Sequence, residues 1–215
     1  MFKNFLKRCI LILNRSDLLD AVENYNHLID IEDTQIRNDL LRLISFYNFT
    51  MEATAEHYFD FITTELITSN IDSQIPYYTL VNRAIKILDV KNPLNKKVNF
   101  DLTPNYIIVE APYREYLVTY KYIPKVIKDI SDDMLLPKNI SKKIIAYGVV
   151  SEFFASKNEF EASEFWKNKF LYEIFKYKTK KERLLKSTFI RWIKIILLII
   201  LILNTLYNYY KKICF

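Results

Sequence analysis

Glycine is nearly absent from this 215-residue chain, and cysteine and histidine are scarce. With one glycine, Gly148, the chain has neither a glycine-rich phosphate-binding loop nor a dinucleotide fingerprint. A Gly-x-Ser-x-Gly nucleophile elbow is excluded for the same reason. Two histidines and two distant cysteines, Cys9 and Cys214, provide no zinc-ligand spacing and no disulfide framework. These absences predict a protein that is not an enzyme, has no cofactor or metal, and works in a reducing environment.

The composition otherwise predicts a folded chain. Hydrophobic residues make up 51% of it and aromatic residues 15%, which is enough for a real core and argues against disorder. The net charge of +6 is modest. Lysine, isoleucine, asparagine, tyrosine and phenylalanine are all abundant, so a single lysine or tyrosine says little about function.

The first third of the chain has helical patterns. Residues 1–14 are apolar with three basic side chains, which predicts a helix docked on the core, with a secretory signal as the alternative. Ser16 is the predicted N-cap of a short helix over residues 17–25. Residues 26–33 read as a polar connection, in which His27 has no evident partner.

A longer amphipathic pattern begins at Thr34 and continues to about Phe59. Glu52, Glu56 and His57 cluster near its end. The two glutamates, four residues apart, could hold a metal together with His57, but His57 points about 100° away around the helix. The interpretation we favour is a solvated face.

The periodicity changes from helical to alternating at about Ile62 and stays so to Tyr122. Residues 84–90 and 106–110 are rich in Ile, Val and Tyr, as strands are. Residues 98–102 and 116–122 alternate strictly between the two faces of a strand. Asn92-Pro93 and Thr103-Pro104 stand where turns are expected. This interval predicts a small antiparallel β module that leans on the flanking helices.

A helical hairpin is predicted to follow. Ser141 is a good N-cap for the run KKIIAYGVVSEFFAS, which is apolar over a wide arc. Gly148 inside that run is expected to permit close approach of another backbone, because glycine costs about 1 kcal/mol in a helix. Asn158 can end this helix and, with Glu161, form a capping box for the second. The second helix has one apolar face, formed by Ala162, Trp166, Phe170, Ile174 and Tyr177.

The predicted fold is therefore α+β and mainly α. Residues 1–61 supply the first helices of a bundle, residues 62–123 the inserted antiparallel β module, and residues 124–188 the hairpin that completes the bundle. Residues 189–215 form an extra hydrophobic C-terminal helix. The residues predicted to matter for packing or for an interface are Tyr147, Gly148, Phe153, Trp166 and Phe170. The wide apolar arc of the first hairpin helix suits subunit contacts and suits an ordinary core equally well.

Three sequence stretches together resemble a known family. They are the helix ending ATAEHYF, the sheet module closing LVTYKYIPK, and the hairpin AYGVVSEFFASKNEFEASEFWKNKF. In this order they resemble the head–tail connector, or adaptor, proteins of tailed bacteriophages. The resemblance covers roughly residues 15–192. The positions that carry it are Tyr120, Tyr122, Pro124, Ala146, Tyr147, Gly148, Ser151, Glu152, Glu161, Ala162 and Trp166.

The resemblance implies a structural virion protein at the head–tail junction. Such a protein forms a homo-oligomeric ring, commonly a dodecamer, beneath the portal protein. It contacts the portal and other neck or tail proteins, and DNA passes through its centre without sequence readout.

The C-terminal tail departs from that family. Ile195 to Leu203 is a run of nine aliphatic residues, shorter than the ~20 that a membrane span needs. Flanking lysines and interfacial aromatic residues nevertheless favour a membrane, with the N-terminal body in the cytoplasm. The alternative function is therefore a tail-anchored membrane protein, and otherwise the tail is a helix buried in the assembly or a dispensable extension. The tail candidates are Trp192, Ile195, Leu198, Leu201 and Tyr207.

A basic run over residues 176–186 precedes this tail. It could contact DNA phosphates without sequence preference. A solvated helix face, or the flank of a membrane segment, is the other interpretation.

Overall fold

The computed structural model describes residues 2–68, 77–102, 106–109, 113–134, 136, 140–180 and 195. Within these residues the helices come first and last and the strands lie between them, which confirms an α+β, mainly α fold. The first helices are α1 (Phe2–Leu13), α2 (Ser16–Asn24) and α3 (Thr34–Ala53), and the last are α4 (Lys142–Ser156) and α5 (residues 160–180). The chain forms two compact units, Met1–Phe170 and Leu171–Phe215.

Helix α1 docks on the core, as its sequence predicts. Phe2 and Phe5 are almost fully buried, and both rings meet Tyr47 of α3 edge-on, at centroid distances of 5.0 and 5.1 Å. Edge-to-face ring pairs of this kind stabilise a fold by roughly 0.5–1.5 kcal/mol beyond the free energy gained by burying their surface. The aromatic side chains of α1 therefore fix it against α3.

Helix α2 begins one residue earlier than predicted. Ser16 is its first residue rather than its cap, and the N-cap position belongs to Arg15, which makes no side-chain cap bond. The Arg15 guanidinium instead donates hydrogen bonds to Asp17 and Asp39. The following connection contains a 3₁₀ turn, Leu28–Asp30, whose Leu28 is buried.

Helix α3 starts and continues as the pattern predicts. Asp33 is its N-cap, and the carboxylate accepts hydrogen bonds from the backbone N–H groups of Gln35 and Ile36 at 2.8 and 3.0 Å. After Ala53 the helix widens into a π-helical segment, Thr54–Tyr58, which ends when Phe59 adopts an extended backbone. The apolar face, which includes Leu40, Leu43 and Tyr47, is buried.

Replacing Asp33 by alanine is expected to lower the free energy of unfolding by about 1 kcal/mol, because two backbone donors lose their acceptor. Chemical denaturation of the purified variant measures the change. Asp33→Asn keeps an acceptor oxygen at the cap and is the matched control, for which a smaller loss is expected. Equal losses for the two variants would show that the cap hydrogen bonds are not the cause.

The strands form two three-stranded antiparallel sheets in the described part of the chain. One has the order β1-β6-β3 and the other β2-β5-β4. Their bounds are β1 Ile62–Thr68, β2 Tyr77–Thr79, β3 Arg83–Lys91, β4 Phe100–Leu102, β5 Tyr106–Val109 and β6 Glu115–Ile123. The inner faces share one hydrophobic cluster of Ile67, Ile87, Val90, Ile107, Val109, Tyr116, Val118 and Tyr120. We call this pair of sheets the sandwich.

The sandwich enters and leaves the helices at adjacent points. The Tyr122 N–H donates to the Phe61 carbonyl at 2.9 Å, and the next pair in register is Ile62 with Lys121. We call this crossing the neck. Asn92 closes the turn after β3 as predicted, because its side chain accepts hydrogen bonds from the N–H groups of Leu94 and Lys96. The Thr103-Pro104 turn lies outside the described residues.

Helix α4 is buried on most of its surface, where it packs against α1 and α3. The Ser141 hydroxyl caps it as predicted, accepting from the Lys143 N–H at 3.3 Å. Asn158 ends it with φ 63°, but the capping box with Glu161 was a wrong prediction. An N-cap needs an extended backbone rather than a left-handed one. The carbonyl that accepts the first bond of α5, from Ser163, is that of Glu159.

Candidate interaction surfaces

Gly148 lies where three elements meet. A methyl group built on its Cα would lie 2.6 Å from the Thr50 side chain of α3 and 3.3 Å from the Phe170 ring of α5. The predicted close approach is present, but the neighbours are side chains rather than a backbone. The absence of a side chain at Gly148 therefore allows α4 to sit between α3 and α5.

A hydrogen bond and aromatic contacts also hold α4 and α5 in place. The buried Ser151 hydroxyl donates to the Ser163 carbonyl at 2.9 Å. Phe170 is 8% exposed and meets the Tyr58 ring edge-on at 5.9 Å, while Phe153 is 4% exposed. Gly148, Phe153 and Phe170 are thus core residues of the single chain, and the apolar arc of α4 is covered without a second subunit.

Tyr147 and Trp166 differ from those three, because both are only half-buried. Their rings lie 5.2 Å apart, and Trp166 also meets the exposed Phe165 ring edge-on. The Lys169 ammonium lies 4.4 Å from the Phe165 ring centre and 4.8 Å from that of Trp166. This cluster is the part of the contact between α4 and α5 that reaches the surface.

A buried carboxylate joins three segments of the helical part, and no pattern in the sequence indicates it. Asp39 of α3 is 2% exposed. Its oxygens lie 3.2 Å from an Arg15 nitrogen, 3.0 Å from the Lys157 ammonium and 3.5 Å from an Arg42 nitrogen. Arg15 precedes α2 and Lys157 follows α4, so Asp39 ties both chain segments to α3.

His27 has a partner after all, which corrects the sequence-based interpretation. Its Nδ1 atom lies 2.7 Å from an Asp129 carboxylate oxygen and 3.2 Å from the Ser131 hydroxyl. The Asp129 carboxylate also accepts from the Leu28 N–H at 2.9 Å. A serine nucleophile and its carboxylate need opposite nitrogens of the histidine ring. Here both approach Nδ1, so the group serves as a clasp between two loops rather than as a catalytic triad.

The His27–Asp129 clasp is expected to stabilise the fold most in mildly acidic solution. The hydrogen bond to Asp129 raises the pKa of His27 above its ordinary 6.5. The stability that this hydrogen bond adds to the folded state is complete below pH 6.5 and is lost as pH rises through the raised pKa of His27. Partial burial raises the pKa of Asp129, but the Leu28 N–H and then His27 lower it to a net value below 3.8. That contribution is lost only as pH falls through the lowered pKa.

Urea unfolding of wild type and His27→Gln across pH measures this dependence. The difference in the free energy of unfolding should be largest between about pH 4 and 6.5 and should fade in alkaline solution. Asp30 is the other charge acting on His27, so Asp30→Asn is the control and should keep most of the dependence. A difference that is constant with pH would contradict the assignment.

The glutamates near the end of α3 do not assemble a site with His57. Glu52 pairs with Arg83 at the start of β3, at 3.1 Å. His57 is exposed and lies 3.8 Å from Glu56. Among the described residues, no group of three or more His, Cys, Asp or Glu side chains is placed to hold a metal ion.

Most of the C-terminal tail lies outside the described residues. Ile195 is helical and 48% exposed, whereas the other tail candidates, Trp192, Leu198, Leu201 and Tyr207, are not described. The basic run is described only as far as residue 180, where α5 reaches its last described residue. No helix in the described part of the chain is long and apolar enough to cross a membrane.

No protein-family model and no curated protein matches this chain.

Proposed function

We propose that this chain is a structural head–tail connector of a tailed phage, which forms a ring beneath the portal protein. The supporting observation is the insertion of the sandwich between α3 and α4, in the order that the resemblance implies. Three of the residues that carry the resemblance have packing roles suited to a structural protein. Tyr120 lies in the sandwich core with its hydroxyl on Glu65, and Ser151 and Tyr147 hold the hairpin together.

A connector needs two distinct surfaces on one body, one for the neighbouring copy and one for the ring above it. A single heterologous contact, repeated around an axis, closes such a ring. The helical part and the sandwich each offer a surface of their own. The partners in this proposal are further copies of the chain, the portal protein, other neck or tail proteins, and DNA that passes without sequence readout.

Peptide mass spectrometry on two fractions of a producing culture tests the proposal. The fractions are purified virus particles and washed membranes. Peptides from residues 158–180 in the particles, at several copies per portal ring, are the expected result. Their absence from particles would refute the connector role. A bulky residue at Gly148 would not test ring assembly, because the glycine is in the core of the single chain and the substitution would disturb folding itself.

The second candidate function, a tail-anchored membrane protein, is favoured by the run Ile195–Leu203 between Trp192 and Tyr207. This candidate predicts that peptides from before residue 189 and from residues 189–215 occur together in the membrane fraction. Removing residues 189–215 should then release the body from membranes. A full-length protein that stays soluble without detergent would refute this candidate.

A further inference from the structure

Strand β1 is an edge of its sheet. It stands at the end of the order β1-β6-β3, and β6 is the only described strand with which it pairs. The Tyr122 N–H donates to the Phe61 carbonyl, so Phe61 directs its backbone groups toward the β6 side. Because this direction alternates along an antiparallel strand, the odd-numbered residues of 63–67 also bond to β6. The even-numbered residues of 62–68 therefore direct their N–H and carbonyl groups to the edge.

The sequence of β1 has none of the features that usually protect an edge strand. Proteins protect such strands by shortness, bulges, proline or charged side chains. Strand β3, the other edge of the same sheet, has two register shifts. It also has charged residues along its length, namely Arg83, Lys86, Asp89 and Lys91. Strands β2 and β4, the edges of the second sheet, have three residues each. Strand β1 has seven residues in unbroken register, no proline, and Glu65 as its single charged residue.

The charge of Glu65 is turned away from the outer face of the sheet. Its carboxylate accepts hydrogen bonds from the Val81 N–H at 3.1 Å and from the buried Tyr120 hydroxyl at 3.0 Å. The outer face of β1 instead carries Ile62 and Leu66, which are 53% and 61% exposed. An exposed edge strand with apolar side chains is a site for pairing with another strand.

We propose that β1 of one copy pairs antiparallel with β1 of a second copy, about a two-fold axis at Thr64. In this register Thr64 is opposite the second copy's Thr64, and Ile62 is opposite the second copy's Leu66. All these residues direct their backbone groups to the edge, so each opposite pair can exchange hydrogen bonds. Ile62 and Leu66, about 13 Å apart along one strand, each gain an aliphatic cross-strand neighbour.

The pairing places similar side chains in rows across the outer face. Leu66 is already opposite Leu117 of β6, which is 41% exposed. The second copy's Ile62 extends that pair into a longer apolar row. The Thr64 and Thr119 hydroxyls lie 2.9 Å apart, so the middle row consists of threonines from both copies. Each row covers side chains that a single copy leaves exposed, and this match between β1 and itself favours a second copy as the partner.

Charge does not drive this contact, but it helps to select the register. Glu115 is opposite Thr68, and Asp60 lies 3.4 Å from Lys121, so both signs of charge lie at the ends of β1. Moving the axis by one residue would place Glu65 opposite the second copy's Glu65. Like charges directly opposite one another destabilise a sheet. The axis at Thr64 avoids that pair.

The proposed contact is isologous, because the same strand contributes from both copies, and it joins two copies only. It goes beyond the connector role, which requires a heterologous contact around a ring. The tests use purified protein, so a failure of the connector role would leave their outcome unchanged.

Substitutions in the full-length chain test the contact. Thr64→Pro removes an N–H that faces the edge and leaves the bonds to β6 in place, which is where a sheet tolerates proline. Leu66→Lys places a charge in the apolar row. Leu88→Lys is the matched control, because Leu88 is a 45% exposed aliphatic residue on β3. Circular dichroism checks that each protein is folded, and analytical ultracentrifugation in one mild detergent measures association.

Wild type and Leu88→Lys are expected to associate as concentration rises. Thr64→Pro and Leu66→Lys should each associate at least about ten-fold more weakly, because every change occurs on both sides of the axis and removes hydrogen bonds or an apolar pair. A monomeric wild type would overturn the inference. So would a folded variant that associates like wild type, or a control that is as weak as the variants.

Oxidation of introduced cysteines tests the register, in a Cys214→Ser background in which Cys9 is buried. Opposite residues that exchange hydrogen bonds have Cα atoms about 5.5 Å apart, which a disulfide can join. Thr64→Cys is therefore expected to give covalent dimers. Thr68→Cys is the control, because its two copies would lie about 26 Å apart. Equal cross-linking at the two positions, or none at Thr64→Cys, would contradict the proposed pairing.

Discussion

Replacing Gly148 by leucine is expected to lower the free energy of unfolding by about 3 kcal/mol, the upper end of the usual cost of overpacking a core. The site has no room for even one carbon atom, because the nearest Thr50 atom would be 2.6 Å away. Thr50 is itself 4% exposed, and the Phe170 ring closes the other side at 3.3 Å. Neither neighbour can move into solvent. Chemical denaturation of the purified variant measures the loss.

Thr50→Ser provides the matched control, since it removes the methyl carbon that obstructs the site and keeps the hydroxyl. In a wild-type background, Gly148→Ala should destabilise the chain although alanine is favoured over glycine in helices by about 1 kcal/mol. In the Thr50→Ser background, the same change should be clearly less harmful. A double-mutant cycle measures the coupling between the two positions. A coupling energy near zero would show that Thr50 is not what excludes a side chain at Gly148.

Replacing Asp39 by alanine is expected to lower the free energy of unfolding by about 2–3 kcal/mol. Breaking a fully buried ion pair costs more, about 3–5 kcal/mol, but here the cations keep access to water. The side chains of Arg15 and Lys157 are 31% and 30% exposed, so each can rehydrate once the carboxylate is gone. The loss comes from releasing the segments before α2 and after α4 at the same time. Thermal and urea unfolding both report it.

Removing the cations one at a time checks this assignment. The Arg42 side chain is 53% exposed and lies on the same helix as Asp39. Arg42→Gln should therefore lower the free energy of unfolding by less than about 1 kcal/mol, as expected for an ion pair at the surface. Arg15→Gln and Lys157→Gln should cost more, because each joins a separate segment to α3. If Arg42→Gln were the most harmful of the three, the carboxylate would be acting within its helix rather than between segments.

Local patterns in the sequence predicted the elements well where chain neighbours decide the structure. Helix α3 begins at Thr34 because Asp33 caps it, and the alternation in residues 116–122 became β6 because one face of that strand is buried. Cap positions at Ser16 and Asn158 were missed by one residue. At Asn158 a left-handed backbone moved the boundary, and such a backbone is not visible in a hydrophobic pattern.

Contacts between distant segments could not be predicted in the same way. His27 and Asp129 are 102 residues apart, and Asp39 and Lys157 are 118 apart. One histidine, or one aspartate among many, gives no periodic signal that would pair it with a partner so far along the chain. The exposure of Leu66 and Leu117, on the outward face of the β1-β6-β3 sheet, was equally hidden, because strand alternation does not reveal which face another layer covers.

The neck has a consequence for the order in which the chain folds. Helices α3 and α4 pack together, yet the whole sandwich separates them in sequence. If the strands pair first, the Phe61–Tyr122 crossing brings the ends of the insertion together, and the loop that remains to be closed is much shorter. Each halving of a loop saves about 0.6 kcal/mol of closure entropy. Early pairing of β1 with β6 would therefore speed the docking of α4 on α3 without adding a contact between them.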